Sequence, residues 1–79
     1  MNKNENSNDI LLPNEIKKYR KSLNLTQVQA ADLCGGGPNA FSRYEGGKTK
    51  PSRATCNLLK LLAKYPHEMK QLLPEETEA

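Results

Sequence analysis

Apolar residues recur every three or four positions along most of this 79-residue chain, which is the spacing of an amphipathic α-helix. In the first such segment the apolar Ile16, Tyr19 and Leu23 are separated by lysines, and Pro13 suits the first turn of a helix. The pattern therefore predicts a first helix over residues 13–22. The strict alternation of a β-strand is found nowhere in the sequence, so the predicted fold class is all-α.

Two short helices joined by a glycine turn are predicted next. Thr26 is a favourable N-cap for the second helix, and Gly35 can end it by adopting a left-handed conformation. After three consecutive glycines, Pro38 suits the first turn of a third helix, which is predicted over residues 38–45. This layout is typical of a helix-turn-helix unit. The polar residues of the third helix, which we expect to point away from the core, are Asn39, Ser42 and Arg43.

The last part of the chain predicts two more helices. Ser52 is a favourable N-cap for a fourth helix that runs to about Lys64, and Pro66 ends this helix before a short fifth one over residues 67–73. Their leucines form an apolar surface wider than one small core requires, so part of it is expected to contact a second subunit. The predicted homodimer interface consists of Leu58, Leu61, Leu62, Tyr65, Met69 and Leu72.

Chain length and charge distribution predict how the chain divides into a folded domain and two tails. With 35% hydrophobic residues the chain forms one small domain, predicted over residues 10–73, whose marginal stability also favours dimerisation. Residues 1–9 are rich in Asn and predict a disordered tail, and residues 74–79 predict an acidic tail. The formal net charge is +3, but residues 10–53 alone contain eight basic and three acidic side chains. Basic charge on the helix-turn-helix segment indicates a nucleic-acid partner.

The cysteines and the hydropathy of the chain exclude several classes of protein. Cys34 and Cys56 are far apart in apolar helical contexts, which predicts reduced thiols and no zinc site. No apolar run approaches the roughly 18 residues of a membrane span, and the N-terminus lacks the apolar core of a signal peptide. We therefore expect a soluble, cytoplasmic protein with no metal, cofactor or membrane partner.

The polar side of the third helix carries residue types suited to reading DNA bases. Asn39 and Arg43 are four residues apart, so they project from the same face of a helix about one turn apart. Asn pairs bidentately with adenine and Arg with guanine, each worth about 1–3 kcal/mol of discrimination. Surface residues of these types are usually only solvated, but a helix-turn-helix frame favours base reading. Contacts to DNA phosphates are predicted for Gln27, Ser42, Lys48, Lys50 and Arg53.

The remaining polar motifs indicate a structural ion pair but neither a nucleotide-binding site nor a catalytic site. Arg20 and Glu45 are predicted to form a structural ion pair between the first and third helices. The segment G-G-K-T at residues 46–49 imitates part of a nucleotide-binding P-loop, but the first glycine of that motif is replaced by Ser42 and no strand precedes it. His67 has no neighbouring nucleophile or carboxylate at a telling spacing. We therefore predict that the chain is not an enzyme.

Several short motifs resemble a known family. The segment L-T-Q at residues 25–27, Ala31, Gly35 and E-G at residues 45–46 resemble the Cro/C1-type (lambda-repressor-like) helix-turn-helix domain. The string GGGPNAFSRYEGGKTKPS, followed by LLKLLAKYPHEMKQL, is more similar to the C-terminal DNA-binding domain of the MqsA family of antitoxins, over approximately residues 11–73. The resemblance implies a five-helix homodimer that binds a palindrome in the promoter of its own operon.

The same resemblance assigns roles to individual residues. It implies base contacts for Asn39 and Arg43, a buried ion pair between Arg20 and Glu45, and a phosphate contact for Gln27. Two departures from the family pattern stand out. Family antitoxins carry an N-terminal, toxin-binding domain with paired C-x-x-C zinc motifs, which this sequence does not contain, and Leu12 occupies the position where a Ser or Thr cap is expected.

These observations lead to one predicted function and one rival. The predicted function is that of a dimeric, sequence-specific repressor of its own promoter in a toxin–antitoxin operon, with a palindromic operator as its DNA partner. The rival is an antitoxin that neutralises a partner toxin by direct protein contact, through the leucines of residues 58–73 or through a tail that orders on binding.

Overall fold

The computed structural model describes residues 10–73, so the predicted tails over residues 1–9 and 74–79 lie outside the described part of the chain. It consists of five helices and, within residues 10–73, contains no strand. The all-α prediction is therefore confirmed, and the fold is compatible with a small helix-turn-helix domain. The helices are α1 Pro13–Ser22, α2 Gln27–Cys34, α3 Ala40–Glu45, α4 Arg53–Lys64 and α5 Pro66–Lys70.

Side-chain caps determine where α2 and α4 begin. The hydroxyl of Thr26 accepts a hydrogen bond from the Gln29 N–H at 3.0 Å, and the Gln29 amide oxygen accepts one from the Thr26 N–H at 2.9 Å. This reciprocal pair is a capping box that satisfies two helix-end donors. The hydroxyl of Ser52 accepts from the Thr55 N–H at 3.1 Å. The predicted N-caps of both helices are therefore confirmed.

The start of α1 is capped from one side only. Leu12 has the extended backbone of an N-cap residue, but its side chain carries no acceptor. The Glu15 carboxylate instead accepts a hydrogen bond from the Leu12 N–H at 2.8 Å. Pro13 occupies the first turn, where its missing N–H costs nothing. The helix therefore forms over the predicted residues although half of the usual cap is absent.

The predicted start of α3 is wrong by two residues. The Ala40 N–H donates to the Gly37 carbonyl at 3.1 Å, so Pro38 and Asn39 form a turn and the helix begins at Ala40. Asn39 is consequently the N-cap residue. Gly35 has a φ of 88° and a ψ of 176°, so it ends α2 with a positive φ but an extended ψ, outside the predicted left-handed helical region.

The predicted bounds of the fifth helix also need correction. Pro66 is the first residue of α5, and its N-terminal position agrees with the preference of proline for the first turn. The helix ends at Lys70 because the N–H groups of Gln71 and Leu72 donate to the carbonyls of Glu68 and Met69, three residues back. This tighter pattern closes the chain in a turn over residues 71–72 and a bend at Leu73.

One hydrophobic core joins all five helices. Helix α1 packs against α3 and α4, α2 packs against α3 and α4, and α5 packs against α4. Ala30 and Ala31 are buried on α2, and their small side chains allow neighbouring helices to approach closely. The largest fully buried side chains are Phe41, Ile16, Leu59, Met69 and Cys56. Within residues 10–73, no helix combines the length and the apolar character that a membrane crossing demands.

Candidate nucleic-acid interface

The apolar side of α3 anchors this short helix to the core. Ala40 and Phe41 are buried, and the ring of Phe41 packs edge-on against Tyr44 with a centroid distance of 5.3 Å and an angle of 68°. Such an edge-to-face arrangement is favourable for aromatic pairs. The aromatics therefore support the helix from behind, and the opposite side of α3 faces solvent.

Asn39 and Arg43 lie together on the exposed side. The Arg43 N–H donates to the Asn39 carbonyl at 3.2 Å, which places the two residues one helical turn apart. Asn39 is the N-cap residue but its side chain makes no capping hydrogen bond. Both side chains are exposed, and no hydrogen bond to another residue of the range 10–73 engages either of them. Their donors and acceptors are therefore directed to solvent.

Two predicted phosphate-binding lysines follow directly after α3. The Lys48 N–H donates to the Arg43 carbonyl at 2.9 Å, so the loop begins packed against the end of the helix. Lys48 and Lys50 are exposed, as is Ser42 on α3 itself. Arg53 is exposed at the first position of α4. We call the exposed side of α3 with its following loop the α3 polar surface; it consists of Asn39, Ser42, Arg43, Lys48 and Lys50.

Arg20 and Glu45 form the ion pair that the sequence predicts between α1 and α3. Arg20 donates from Nε to Glu45 Oε2 at 2.6 Å and from Nη2 to Glu45 Oε1 at 3.0 Å. The pair is nearly buried, with 11% and 6% of the two side chains exposed. Arg20 Nη1 also donates to the Leu25 carbonyl at 2.9 Å. A bidentate pair with a third bond fixes the direction of the guanidinium group and ties the end of α3 to α1.

The charge of Glu45 is stabilised by its neighbours. Burial of the carboxyl raises its pKa, but hydrogen bonds from Arg20 and Gln27 and the positive charges of Arg20 and Lys17 outweigh this, so the pKa lies below its ordinary value. Glu45 is therefore ionised at neutral pH. Its charge is matched inside the fold by the charge of Arg20.

Gln27, for which a phosphate contact is predicted, contacts Glu45 within the fold. Its amide Nε2 donates to Glu45 Oε1 at 3.1 Å, and the residue is only partly exposed at the first position of α2. The structure therefore brings Gln27 into the network of Arg20 and Glu45. The sequence did not reveal this contact, because a neutral amide on another helix has no opposite charge to mark Glu45 as its partner, as Arg20 has.

The second predicted surface is an apolar groove between α4 and α5. Leu61, Tyr65 and Leu72 are 53%, 53% and 65% exposed, and Leu58 is partly buried. Leu62 and Met69 are 5% and 1% exposed, so they belong to the core of the chain and form only the floor of the groove. We call this feature, of about 470 Å³, the leucine groove; it is lined by the predicted Leu58, Leu61, Leu62, Tyr65, Met69 and Leu72 together with the polar Glu68 and Gln71.

Comparison with known proteins places the chain in a family. The family model described as the antitoxin component of bacterial toxin–antitoxin systems, MqsA, matches residues 1–73. The chain belongs to the MqsA antitoxin family. A relative, antitoxin MqsA of Escherichia coli strain K12, is 44% identical over 64 residues, which is 81% of this chain and 49% of the relative. The chain thus spans about half the length of the curated relative it matches.

MqsA family membership agrees with the prediction that the chain is a regulatory protein and not an enzyme. Among residues 10–73, no group of three or more His, Cys, Asp or Glu side chains is placed to hold a metal ion. Cys34 and Cys56 are both free thiols. Burial raises the pKa of Cys34 to about 11, and the sulfur of the fully buried Cys56 accepts a hydrogen bond from the Leu11 N–H at 3.3 Å. Cys34 is therefore protonated at neutral pH, and Cys56 is shielded from solvent.

Proposed function

We propose that this MqsA family member is a sequence-specific DNA-binding protein that represses its own promoter in a toxin–antitoxin operon of the cytoplasm. The observation that carries the proposal is the placement of Asn39 and Arg43. Asn39 at the N-cap and Arg43 on α3 are both exposed, one turn apart, and both have side-chain groups that no residue of the range 10–73 engages. Asn and Arg at this spacing match the bidentate donor and acceptor patterns of adenine and guanine in the major groove.

The rest of the α3 polar surface supports the same function. Lys48 and Lys50 are exposed directly after the helix, where they can bind the phosphates that flank the groove. Ser42 and Arg53 are further candidates for phosphate contacts. These groups supply affinity without sequence information, whereas Asn39 and Arg43 supply the base preference.

A second part of the proposal is a homodimer formed through the leucine groove. Leu61, Tyr65 and Leu72 expose more than half of their surface, although apolar side chains gain about 25 cal/mol for each Å² that they bury. A two-fold dimer presents two copies of α3 to successive major grooves, with half-sites about 34 Å apart on a palindrome. Such an operator matches the symmetry of the protein.

The proposed function is tested by titrating the protein with a duplex from its own upstream DNA and with a scrambled duplex, at about 50 and 200 mM salt. We expect tighter binding to the upstream duplex. Arg43→Ala and Asn39→Ala should each reduce this preference about 10- to 100-fold. Asn57→Ala, at an exposed asparagine of α4, is the matched control and should leave the preference unchanged. Equal binding of both duplexes by the wild-type protein contradicts the proposal.

A second candidate function is the neutralisation of a toxin by direct protein contact. It is favoured by the apolar character of the leucine groove and by the description of the family as antitoxins. Salt separates the two functions, because DNA binding falls steeply with ionic strength and an apolar protein contact does not. Loss of a salt-resistant toxin complex in Leu61→Asp, with DNA preference retained, would identify the groove as the toxin site.

A further inference from the structure

The carboxylate of Glu45 is the meeting point of three helices. Arg20 reaches it from α1 through Nε and Nη2, and Gln27 reaches it from the first position of α2 through Nε2. Glu45 is itself the last residue of α3. The network therefore connects the start of α2 to the end of α3, at the ends of these helices farthest from the glycine turn that joins them.

The glycine turn by itself does little to fix the angle between α2 and α3. Gly35, Gly36 and Gly37 have φ values of 88°, 101° and 90°, and no side chain bridges the turn from these positions. A Cβ atom at Gly36 would lie 2.9 Å from the Ala40 Cβ and 3.3 Å from the Tyr44 hydroxyl, so the middle of the turn packs against α3, whereas one at Gly35 or Gly37 would have no neighbour within 4 Å. Glycine also permits more backbone conformations than any other residue. The direction of α3 must therefore be set by its packing and by contacts at its far end.

Gln27 is poorly placed to bind a phosphate with the group that donates to Glu45. A phosphate oxygen at hydrogen-bond distance from the same Nε2 would lie within about 6 Å of Glu45 Oε1, since each bond is near 3 Å. The two groups are both anionic, and they repel each other at this distance. Arg20 offsets part of this repulsion, but its three described donors are already directed to Glu45 and Leu25.

We propose that Gln27 is a positioning residue for the DNA-reading helix: its amide holds the carboxylate at the end of α3 and thereby fixes the direction in which Asn39 and Arg43 project. This inference rests on the proposed DNA-binding function. In this proposal the positioning role takes the place of the phosphate contact predicted for Gln27 from its place at the start of α2 and from the resemblance. The role is one of specificity, because a correctly directed α3 matters for base contacts and much less for contacts to phosphates.

The test compares Gln27→Met with Gln29→Met. Methionine has nearly the length of glutamine but no hydrogen-bond donor. Gln29 is the matched control because its amide caps the same end of α2 without contacting Glu45. Two quantities are measured on both variants and on the wild type: the pKa of the Glu45 carboxyl by NMR in the free protein, and the ratio of affinities for the upstream and scrambled duplexes at several salt concentrations.

We expect Gln27→Met to raise the pKa of Glu45, because a hydrogen bond to the charged form is lost. Arg20 and Lys17 from α1 still face the carboxylate, so the pKa remains influenced by both positive charges. The ratio of affinities should fall about tenfold, with the salt dependence of binding unchanged. Gln29→Met should alter neither the pKa of Glu45 nor the ratio.

The possible failures are distinguishable. A fall of about one unit in the salt slope of Gln27→Met, with an unchanged ratio of affinities, would show a phosphate contact and overturn the positioning role alone. An unchanged pKa of Glu45 would overturn the hydrogen bond on which the role depends. A wild-type protein that binds both duplexes equally would overturn the proposed function, and the positioning role with it.

Discussion

The α3 polar surface and the leucine groove are both exposed, but they are exposed for different physical reasons. Asn39, Arg43 and the loop lysines are polar groups that water solvates well, so their exposure costs little. Leu61, Tyr65 and Leu72 are apolar and lose the stabilisation that burial would provide. The two surfaces therefore differ in the partner that their chemistry favours. The α3 polar surface favours a polyanion, bound in a salt-dependent way, and the leucine groove favours an apolar protein surface, whose binding depends little on salt.

The largest expected effect is on the stability of the ion pair that supports the α3 polar surface, a feature independent of the leucine groove. Glu45→Ala leaves the nearly buried Arg20 without its partner and should lower the free energy of unfolding by about 3 kcal/mol, measured by urea denaturation. Glu15→Ala, which removes an exposed carboxylate from α1, is the control and should cost about 1 kcal/mol or less. An equal loss in both variants would contradict the structural role of the pair.

The same pair predicts how stability depends on pH. The pKa of Glu45 is lower in the folded chain than its ordinary value of 4.5, so the unfolded chain binds the proton more readily. The stabilisation by Glu45 is therefore complete above pH 4.5 and is lost as the pH falls through the lower pKa of the folded state. Acid unfolding curves of the wild type and Glu45→Ala should converge in this range.

The next effect tests the leucine groove alone. Leu61→Asp places a charge in the groove and should weaken dimerisation by about 2 kcal/mol or more, measured by sedimentation equilibrium without DNA. Val28→Asp is the matched control, since Val28 on α2 is 52% exposed against 53% for Leu61 and lies outside the groove. If both variants and the wild type have the same mass, the groove is not the dimer interface.

A smaller effect tests the contribution of the loop to the α3 polar surface. Lys48→Ala should weaken binding to the upstream and scrambled duplexes equally and reduce the salt slope by about one unit. The reason is that a lysine on a phosphate supplies charge and no base preference. Lys64→Ala, at the exposed end of α4, should leave the slope as it is in the wild type. A change in base preference in Lys48→Ala would place that side chain in the groove instead.

The smallest effect concerns a position outside both surfaces. Leu12 has the extended backbone of an N-cap but no side-chain acceptor, so Leu12→Ser should stabilise the fold by about 0.5–1 kcal/mol. The gain is measured as a rise in the unfolding midpoint. Leu12→Ala controls for the loss of the leucine side chain and should show no gain. Neither change should alter DNA preference or dimer mass, because Leu12 lies outside the α3 polar surface and the leucine groove.

The start of a helix was predicted well from the sequence where a single capping residue or a first-turn proline determines it. Thr26 and Ser52 cap α2 and α4 through their own side chains, and Pro13 begins α1. Predictions were less accurate at α3, where Pro38 is a good first-turn residue but belongs to a turn. The positive φ values of the three preceding glycines change the direction of the chain there, and residue preferences do not encode that direction.

Local periodicity and composition are enough to predict the all-α class, the spacing of Asn39 and Arg43 and the basic charge around them. The Arg20–Glu45 pair was also predicted from the sequence, but other contacts between helices became visible only in the tertiary structure. Leu62 and Met69 are buried in the core, and the amide of Gln27 is bound to Glu45, 18 positions further along the chain. Such contacts arise only when separate helices pack together, so the pattern within one helix does not reveal them.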